Sequence, residues 1–403
     1  MKPQVSAPGG IILSTYPTNK GSYAIESGTS MATPYVAGVS ALLLQTKGAS
    51  KETARAARDL LQTTARPVPE SKNETALLQT ASVQGAGLIN AYSMVHYKTV
   101  VSPGQLLLND TANFKGHHTI QIFNSGTKKM TYKLTHKPAG TAQSLVAGSI
   151  QQNVGPVPLT ADAATVSMPR TITVNPGQKK TFEVDIRGPN VDAKTIPVYS
   201  GYIEITSQDG AEILAVTYLG IASKLKDATV LDNTDEFFGE KLPAELNAAG
   251  NITRNEETYT FVDTDYPSIL FRLVMGTRKL VFDLVSENTA VPNTISRRDV
   301  ETRRGLIGDL LGWLSGDGSY NQVPTVGGLD NWEYNPRHSN SPSPGVGYST
   351  FALSTNKFAN GTRIPNGRYK ILLRALKITG NPTSEEDYEA WLSPVIVFNA
   401  TSA

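Results

Sequence analysis

The 403-residue sequence contains no cysteine, which excludes disulfide scaffolds, thiolate metal sites and cysteine nucleophiles together. It also lacks a charge of one sign: 37 Lys and Arg against 35 Asp and Glu leave a formal +2. With no basic block and no aromatics interleaved among cations, no nucleic-acid partner is expected. No stretch reaches the roughly 18 apolar residues that span a bilayer, so no transmembrane segment is expected either. The cleanest apolar cluster, Ala41-Leu42-Leu43-Leu44, lies inside a helical pattern. The opening MKPQVSAPGG has no apolar core before its proline and glycines, and does not read as a secretory signal. Adjacent His117 and His118 would face opposite ways on a strand, so no metal is expected there. No cofactor is expected.

What remains is an ordinary globular composition, 39% hydrophobic and 18% charged with 34 Gly and 24 Pro, long enough for two or three domains. The first 98 residues read as α/β. IILST at 11–15 suits a buried strand, and residues 31–45 a helix that is apolar all round and therefore central to a core. Pro34 is tolerable in its first turn. Further helices are expected over 51–62 and, after the Gly-Ala-Gly turn at 85–87, over 88–95.

From Val100 the period changes to two. Residues 119–123, 130–134, 171–174, 181–186, 202–206 and 212–219 alternate as strands, with Asn175-Pro176-Gly177 and Gln208-Asp209-Gly210 as turns. After about 222, segments 268–274, 279–285, 369–378 and 393–398 form a second all-β region. Met275-Gly276-Thr277 is expected to close a hairpin, and 315–348 to be a long loop. The fold class is thus multidomain, α/β followed by two antiparallel β-sandwiches. The expected division is 1–98, 99–222 and 223–403.

The segment Ser27 to Ala37, SGTSMATPYVA, sets a hydroxyl residue at a helix start behind a glycine. Ser30 or Thr29 could simply cap the helix. Alternatively, Ser30 is a nucleophile whose position offers free backbone N–H groups to a developing oxyanion. An α/β-hydrolase elbow, Gly-x-Ser-x-Gly, is a poor fit: Gly28-Thr29-Ser30-Met31 ends in Ala32, and antiparallel patterning follows instead of strand–helix alternation.

The run GTSMATPYVAGVSALLLQ (28–45) closely resembles the serine segment of the subtilisin-like serine proteases. KPQVSAPGG (2–10) resembles the same family's Lys-Pro-x-x-x-Ala-Pro-Gly segment, and Gly85-Ala86-Gly87-Leu88-Ile89-Asn90-Ala91 its final catalytic-domain helix. The resemblance implies that Ser30 is the catalytic nucleophile of an endopeptidase. Gly28, Thr29, Met31, Ala32, Thr33 and Pro34 would frame it, and Leu13, Ser14 and Glu26 would lie near a substrate pocket. Residues 100–110, 122–134 and 198–210, and the segments near 369–398, are similar to the fibronectin type III-like modules of large secreted members.

One departure matters. In that family the catalytic Asp and His and the oxyanion-hole Asn precede the serine. Here the residues before Ser30 include no Asp and no His, and Asn19 stands in the wrong place. His96, His117, His118, His136 and His338 all follow, and the four in or near the β-rich region are expected on surfaces or strand ends. The chain therefore reads as the C-terminal part of such a protease, inactive alone and missing the N-terminal part of its catalytic domain. Its partners would be protein or peptide substrates, reached through an extracellular parent. The rival is a β-sandwich binding or spacer protein with a remnant protease segment. Sequons at Asn73, Asn109, Asn251, Asn360 and Asn399 suit a secreted glycoprotein.

Overall fold

A computed structural model describes residues 1–73, 75–291 and 323–400. The chain divides into two compact units: residues 1–144 with 153–224, and residues 145–152 with the chain from 225 onward.

The first unit begins with a hairpin of β1 (Ile12–Thr15) and β2 (Tyr23–Glu26), followed by α1 (Thr29–Lys47), α2 (Lys51–Thr63), α3 (Ala81–Gln84) and α4 (Ala91–His96). Helix α2 starts where Ser50 accepts a bond from the Thr53 N–H at 3.1 Å, with Glu52 favourably placed in the first turn. Helix α4 begins at Ala91 rather than the expected Leu88. Leu88 is held extended by paired 2.8 Å bonds with Arg66, and Asn90 then caps the helix through the Ser93 N–H at 2.9 Å.

Two expectations for this region fail for one reason. Strands β1 and β2 pair only with each other among the described residues, so Leu13 and Ile25 are 68% and 63% exposed rather than buried. Likewise α1 is not a central helix. Only Val39 and Leu43 are fully covered, in a cluster with Leu60 of α2 and Met94 of α4, while Tyr35, Leu42 and Leu44 face outward.

A sandwich completes the unit: β3 (Thr99–Ser102), β4 (Gln105–Asn109), β5 (His117–Asn124), β6 (Met130–Pro138), β7 (Thr141–Ala142), β8 (Leu159–Thr160), β9 (Thr165–Ser167), β10 (Thr171–Val174), β11 (Lys179–Arg187), β12 (Val198–Ser207) and β13 (Ile213–Ile221). One sheet runs β3-β5-β11-β9, and the other β10-β6-β12-β13-β4 with β7 and β8 at its side. Alternation supplies the core: Phe182, Val184 and Ile186 of β11 point inward against Tyr132, Ile203 and Val216 of the facing sheet. The Asn175-Pro176-Gly177 turn carries the chain from one sheet to the other, whereas 208–210 closes the β12–β13 hairpin. Residues 1–98 are bonded to this sandwich. Tyr202 donates its hydroxyl to the Gly85 carbonyl at 3.1 Å, the Ala81 N–H donates to Ser200 Oγ at 2.9 Å, and the Gly104 N–H donates to Asp59 at 3.0 Å.

The second unit contains β14 (Ala244–Leu246), β15 (Ile252–Thr253), β16 (Glu257–Tyr259), β17 (Ser268–Phe271), β18 (Thr277–Ser286), β19 (Gly327–Asn335), β20 (Ser349–Ala352), β21 (Gly367–Leu376), β22 (Tyr388–Leu392) and β23 (Ile396–Phe398). A four-stranded sheet, β15-β14-β17-β20, faces a six-stranded one, β16-β23-β21-β18-β19 with β22 beside β21. Phe271, Phe282, Phe351 and Ile371 fill the space between them. Met275-Gly276-Thr277 is therefore not a hairpin turn. Strands β17 and β18 belong to different sheets, and the connection passes across the core. The expected loop at 315–348 contains β19, paired along β18; its residues 315–322 lie outside the described ones.

His338 departs from the surface position expected of it. It is buried, accepts the Leu273 N–H on Nδ1 at 2.8 Å and meets Ser349 Oγ at 2.9 Å through Nε2. Burial, reinforced by Arg272, lowers its pKa to about 4.

Glu245 of β14 is fully buried. Tyr259 donates to its Oε1 at 2.8 Å, and Oε2 finds no partner among the described residues. Burial pushes this carboxyl up to about 8. Between the ordinary carboxyl range and that value the folded state holds a proton the unfolded chain has released. The stability it confers is full at low pH and lost as pH rises, at up to about 1.4 kcal/mol per pH unit. Glu245→Gln is expected to flatten the pH dependence of the second unit's urea midpoint between about pH 5 and 8. An unchanged slope would show that another group is responsible.

Candidate active site

Ser30 sits at the second position of α1, behind Gly28 as N-cap, and no side chain caps this helix end. The capping reading of Ser30 and Thr29 is thereby overturned. The Ser30 hydroxyl accepts and donates no hydrogen bond among the described residues, so it is chemically uncommitted. The Thr29 and Ser30 N–H groups are likewise unclaimed, the first partners in the turn being Met31 N–H and Ala32 N–H on the Gly28 carbonyl, at 3.1 and 3.3 Å. The hydroxyl thus stands beside free N–H groups at the positive end of a nineteen-residue helix, where a developing negative charge would be stabilised.

Pro34 is the sixth residue of this helix, beyond the first turn where the sequence placed it. Lacking an N–H, it leaves the Ser30 carbonyl without its i+4 donor. Thr33 returns its hydroxyl to the Thr29 carbonyl at 2.8 Å. One bond of the helix ladder is therefore missing at Ser30.

What fixes the segment around the serine is a close backbone approach. The Gly28 N–H donates to the Gly9 carbonyl at 2.7 Å, and the Ile11 N–H donates to Ser27 Oγ at 2.8 Å. A Cβ on Gly9 would come within 2.7 Å of the Gly28 oxygen, so only glycine fits. The 2–10 segment is pinned at its other end as well. Ala86 N–H bonds to the Gln4 carbonyl, and Ser6 and Gly87 follow at 2.8 Å. Gly85 and Gly87, both at positive φ, stand against the backbones of Gln4 and Arg66, where a Cβ would clash within 2.5 and 2.2 Å. The three sequence segments singled out at 2–10, 28–45 and 85–91 are therefore one packed constellation. Gly9 was the supporting residue that sequence reasoning passed over, although a Pro-Gly-Gly run was its signal.

These segments place the serine but bring no base to it. None of the five histidines hydrogen-bonds to Ser30. His96 stacks on Tyr92 with centroids 4.4 Å apart. His117 is taken up by Asp185 at 2.8 Å and Glu183 at 3.2 Å, and the Asp185 bond raises its pKa. His118 donates to the Lys115 carbonyl, and His136 pairs with the Tyr218 hydroxyl. Asn19 lies in the connection between β1 and β2. Leu13, Ser14 and Glu26 sit on that hairpin, with Leu13 opposite Ile25 and Glu26 opposite Ile12. All five sequon asparagines are exposed.

Residues 1–88 match the subtilase family model, and residues 106–219 match the Fn3-like domain model. The chain carries a subtilase segment and an Fn3-like domain. Among curated proteins, it is 31% identical over 152 residues to the minor extracellular protease Vpr of Bacillus subtilis, covering 36% of this chain and 18% of Vpr. Thermitase of Thermoactinomyces vulgaris is 43% identical over 93 residues, 23% of this chain and 28% of thermitase. The PI-type proteinase of Lactococcus lactis subsp. cremoris is 26% identical over 255 residues, 58% of this chain and 13% of that proteinase. The chain spans less than a third of each of these relatives. No helix among the described residues is long and apolar enough to cross a membrane.

On α1 and the β1–β2 hairpin, the apolar side chains of Leu13, Tyr23, Ile25, Tyr35, Leu42 and Leu44 are exposed. This distribution fixes what mutations at α1 do. Leu43→Ala is expected to destabilise the first unit by about 2–5 kcal/mol, whereas Leu42→Gln, one residue away, should change stability by less than about 0.5 kcal/mol. Chemical denaturation of the two variants distinguishes a one-sided helix from a central one; equal losses would mean Leu42 is also covered.

Proposed function

We propose that this chain carries the nucleophile of a subtilisin-type serine endopeptidase and belongs to an extracellular, multidomain protein. In this reading residues 1–98 are the C-terminal part of the catalytic domain, and 99–222 and 223–403 are sandwich modules. The observation that carries it is the uncapped, hydrogen-bond-free Ser30 hydroxyl at the start of α1, inside a subtilase segment. Ser30 Oγ would attack the scissile peptide carbonyl while a histidine takes its proton, and the Ser30 N–H would stabilise the tetrahedral oxyanion. The histidine, the aspartate that orients it and the second oxyanion donor are not supplied by the described residues around Ser30. The same segments that bring them would cover the apolar side of α1 and the hairpin. Alone, the chain is inactive as a peptidase. Exposure of all five sequon asparagines is compatible with glycosylation of a secreted protein.

A serine-directed fluorogenic phosphonate tests this. The 403-residue chain should remain unlabelled. The same chain preceded by the Asp- and His-bearing part of a subtilase should label at Ser30. Ser30→Ala in that longer polypeptide should abolish labelling and lower kcat by several orders of magnitude, with the fold retained. Robust labelling of Ser30 in the 403-residue chain alone would refute the reading and require a base among the later histidines.

A further inference from the structure

We propose that a cleft on the outer face of the six-stranded sheet in the second unit binds a neutral, hydroxyl-rich ligand: a hexopyranose unit of a glycan. The cleft has a volume of about 360 Å³ and is lined by Lys279, Asp283, Gly328, Asp330, Arg374 and Tyr388. That is within the size range of small-molecule sites.

Its construction begins with alternation on β18. Leu280, Phe282 and Leu284 enter the core, which turns Lys279, Val281 and Asp283 to the other face. On the neighbouring β19 the register shifts: Phe282 pairs with Asp330 and Asp283 with Gly328, skipping Leu329. This bulge sends Leu329 into the core and leaves Gly328 and Asp330 flanking the cleft. Gly328 opens the space above the carboxylate. A Cβ there would meet only Asp283 Oδ1, at 3.7 Å.

At the floor, Asp283 and Arg374 form an ion pair, although they are only 6% and 4% exposed. A buried ion pair is a poor source of stability, because desolvating both charges offsets most of their attraction. The pair nonetheless borders the cleft. Arg374 lies over the ring of Tyr388, 5.8 Å from its centroid. At the rim, Asp330 is held by the Trp332 indole N–H at 2.8 Å and the Asn331 N–H at 2.7 Å, so its remaining lone pairs are oriented in advance.

The charges decide the ligand class. Two cations, Lys279 and Arg374, stand against two anions, Asp283 and Asp330, so the cleft offers no net field to an anion or a cation. It offers donors and acceptors side by side. A sugar hydroxyl both donates and accepts, and vicinal hydroxyls match such alternation. Val281 and Ala359 supply apolar contact for a C–H face. The inference does not involve Ser30 and stands or falls apart from the peptidase reading.

Saturation-transfer difference NMR on the full chain tests it, with methyl α-glucopyranoside, methyl β-galactopyranoside and N-acetylglucosamine as probes, and glycylglycine and inorganic phosphate as controls. At least one hexopyranose should bind and neither control should displace it. Gly328→Phe, at an exposed strand position that keeps the ion pair, should weaken binding at least tenfold with an unchanged Tm. Ala359→Trp, at the exposed neighbour whose N–H donates to the Gly328 carbonyl at 2.9 Å, should do the same and substitutes if the first variant unfolds. The proposal is overturned if no hexopyranose binds, if both plugged variants bind as the native chain does, or if glycylglycine or phosphate competes for the site.

Discussion

Everything around Ser30 depends on the burial of two side chains, Val39 and Leu43, one helical turn apart on α1. They pack against Leu60 of α2, Met94 of α4 and Ile89, with Ala7 and Val100 of β3 packed against the same cluster. Fully burying a Leu or Val is worth roughly 1.5–3 kcal/mol each, so the helix that presents the serine rests on a narrow stripe. That stripe suffices because the backbone approach of Gly9 to Gly28 and the glycines of the 85–87 turn hold the helix start from the other side. Packing sets where α1 lies, and backbone contact sets where its first turn points.

The Fn3-like sandwich is joined to this small assembly by polar bonds together with apolar contacts, Leu78 on Tyr202 and Ala215 and Val100 on the helix cluster. Asp59 of α2 accepts from Ser102 and Gly104, Gln62 donates to Gln105, and Ala81 and Gly85 meet Ser200 and Tyr202. The second unit depends on its own core, where the rings of Phe271, Phe282, Trp332 and Phe351 pack between two sheets. It also tolerates charge inside: Asp232 with Arg272, Asp283 with Arg374, and Glu389 receiving the Val230 and Leu231 N–H groups at 2.7–3.0 Å. Of these, the Asp283–Arg374 pair lines a cleft. That location separates a group available to a ligand from one that only organises backbone.

The sequence by itself determined the elements whose signals are local. Period-two alternation located β5, β6, β10, β11, β12 and β13 to within a few residues but did not pick out β3, β4, β7, β8 and β9; the signal is clearest on β11, where side chains are buried and exposed in turn. The serine segment was legible through its resemblance to a known family, whereas the close backbone approach that makes Gly9 necessary emerged only in the folded chain. Tertiary structure decided the rest. An apolar sequence at 31–45 reads the same whether a helix is surrounded or covered on one side, since burial depends on partners that sequence spacing does not reveal. Strands β17 and β18 read as a hairpin because a short glycine-containing link permits one; only the competing pairings of β17 with β14 and β20, and of β18 with β19 and β21, sent them to different sheets. Asp283 and Arg374, far apart in the chain, became neighbours through β18–β21 register alone.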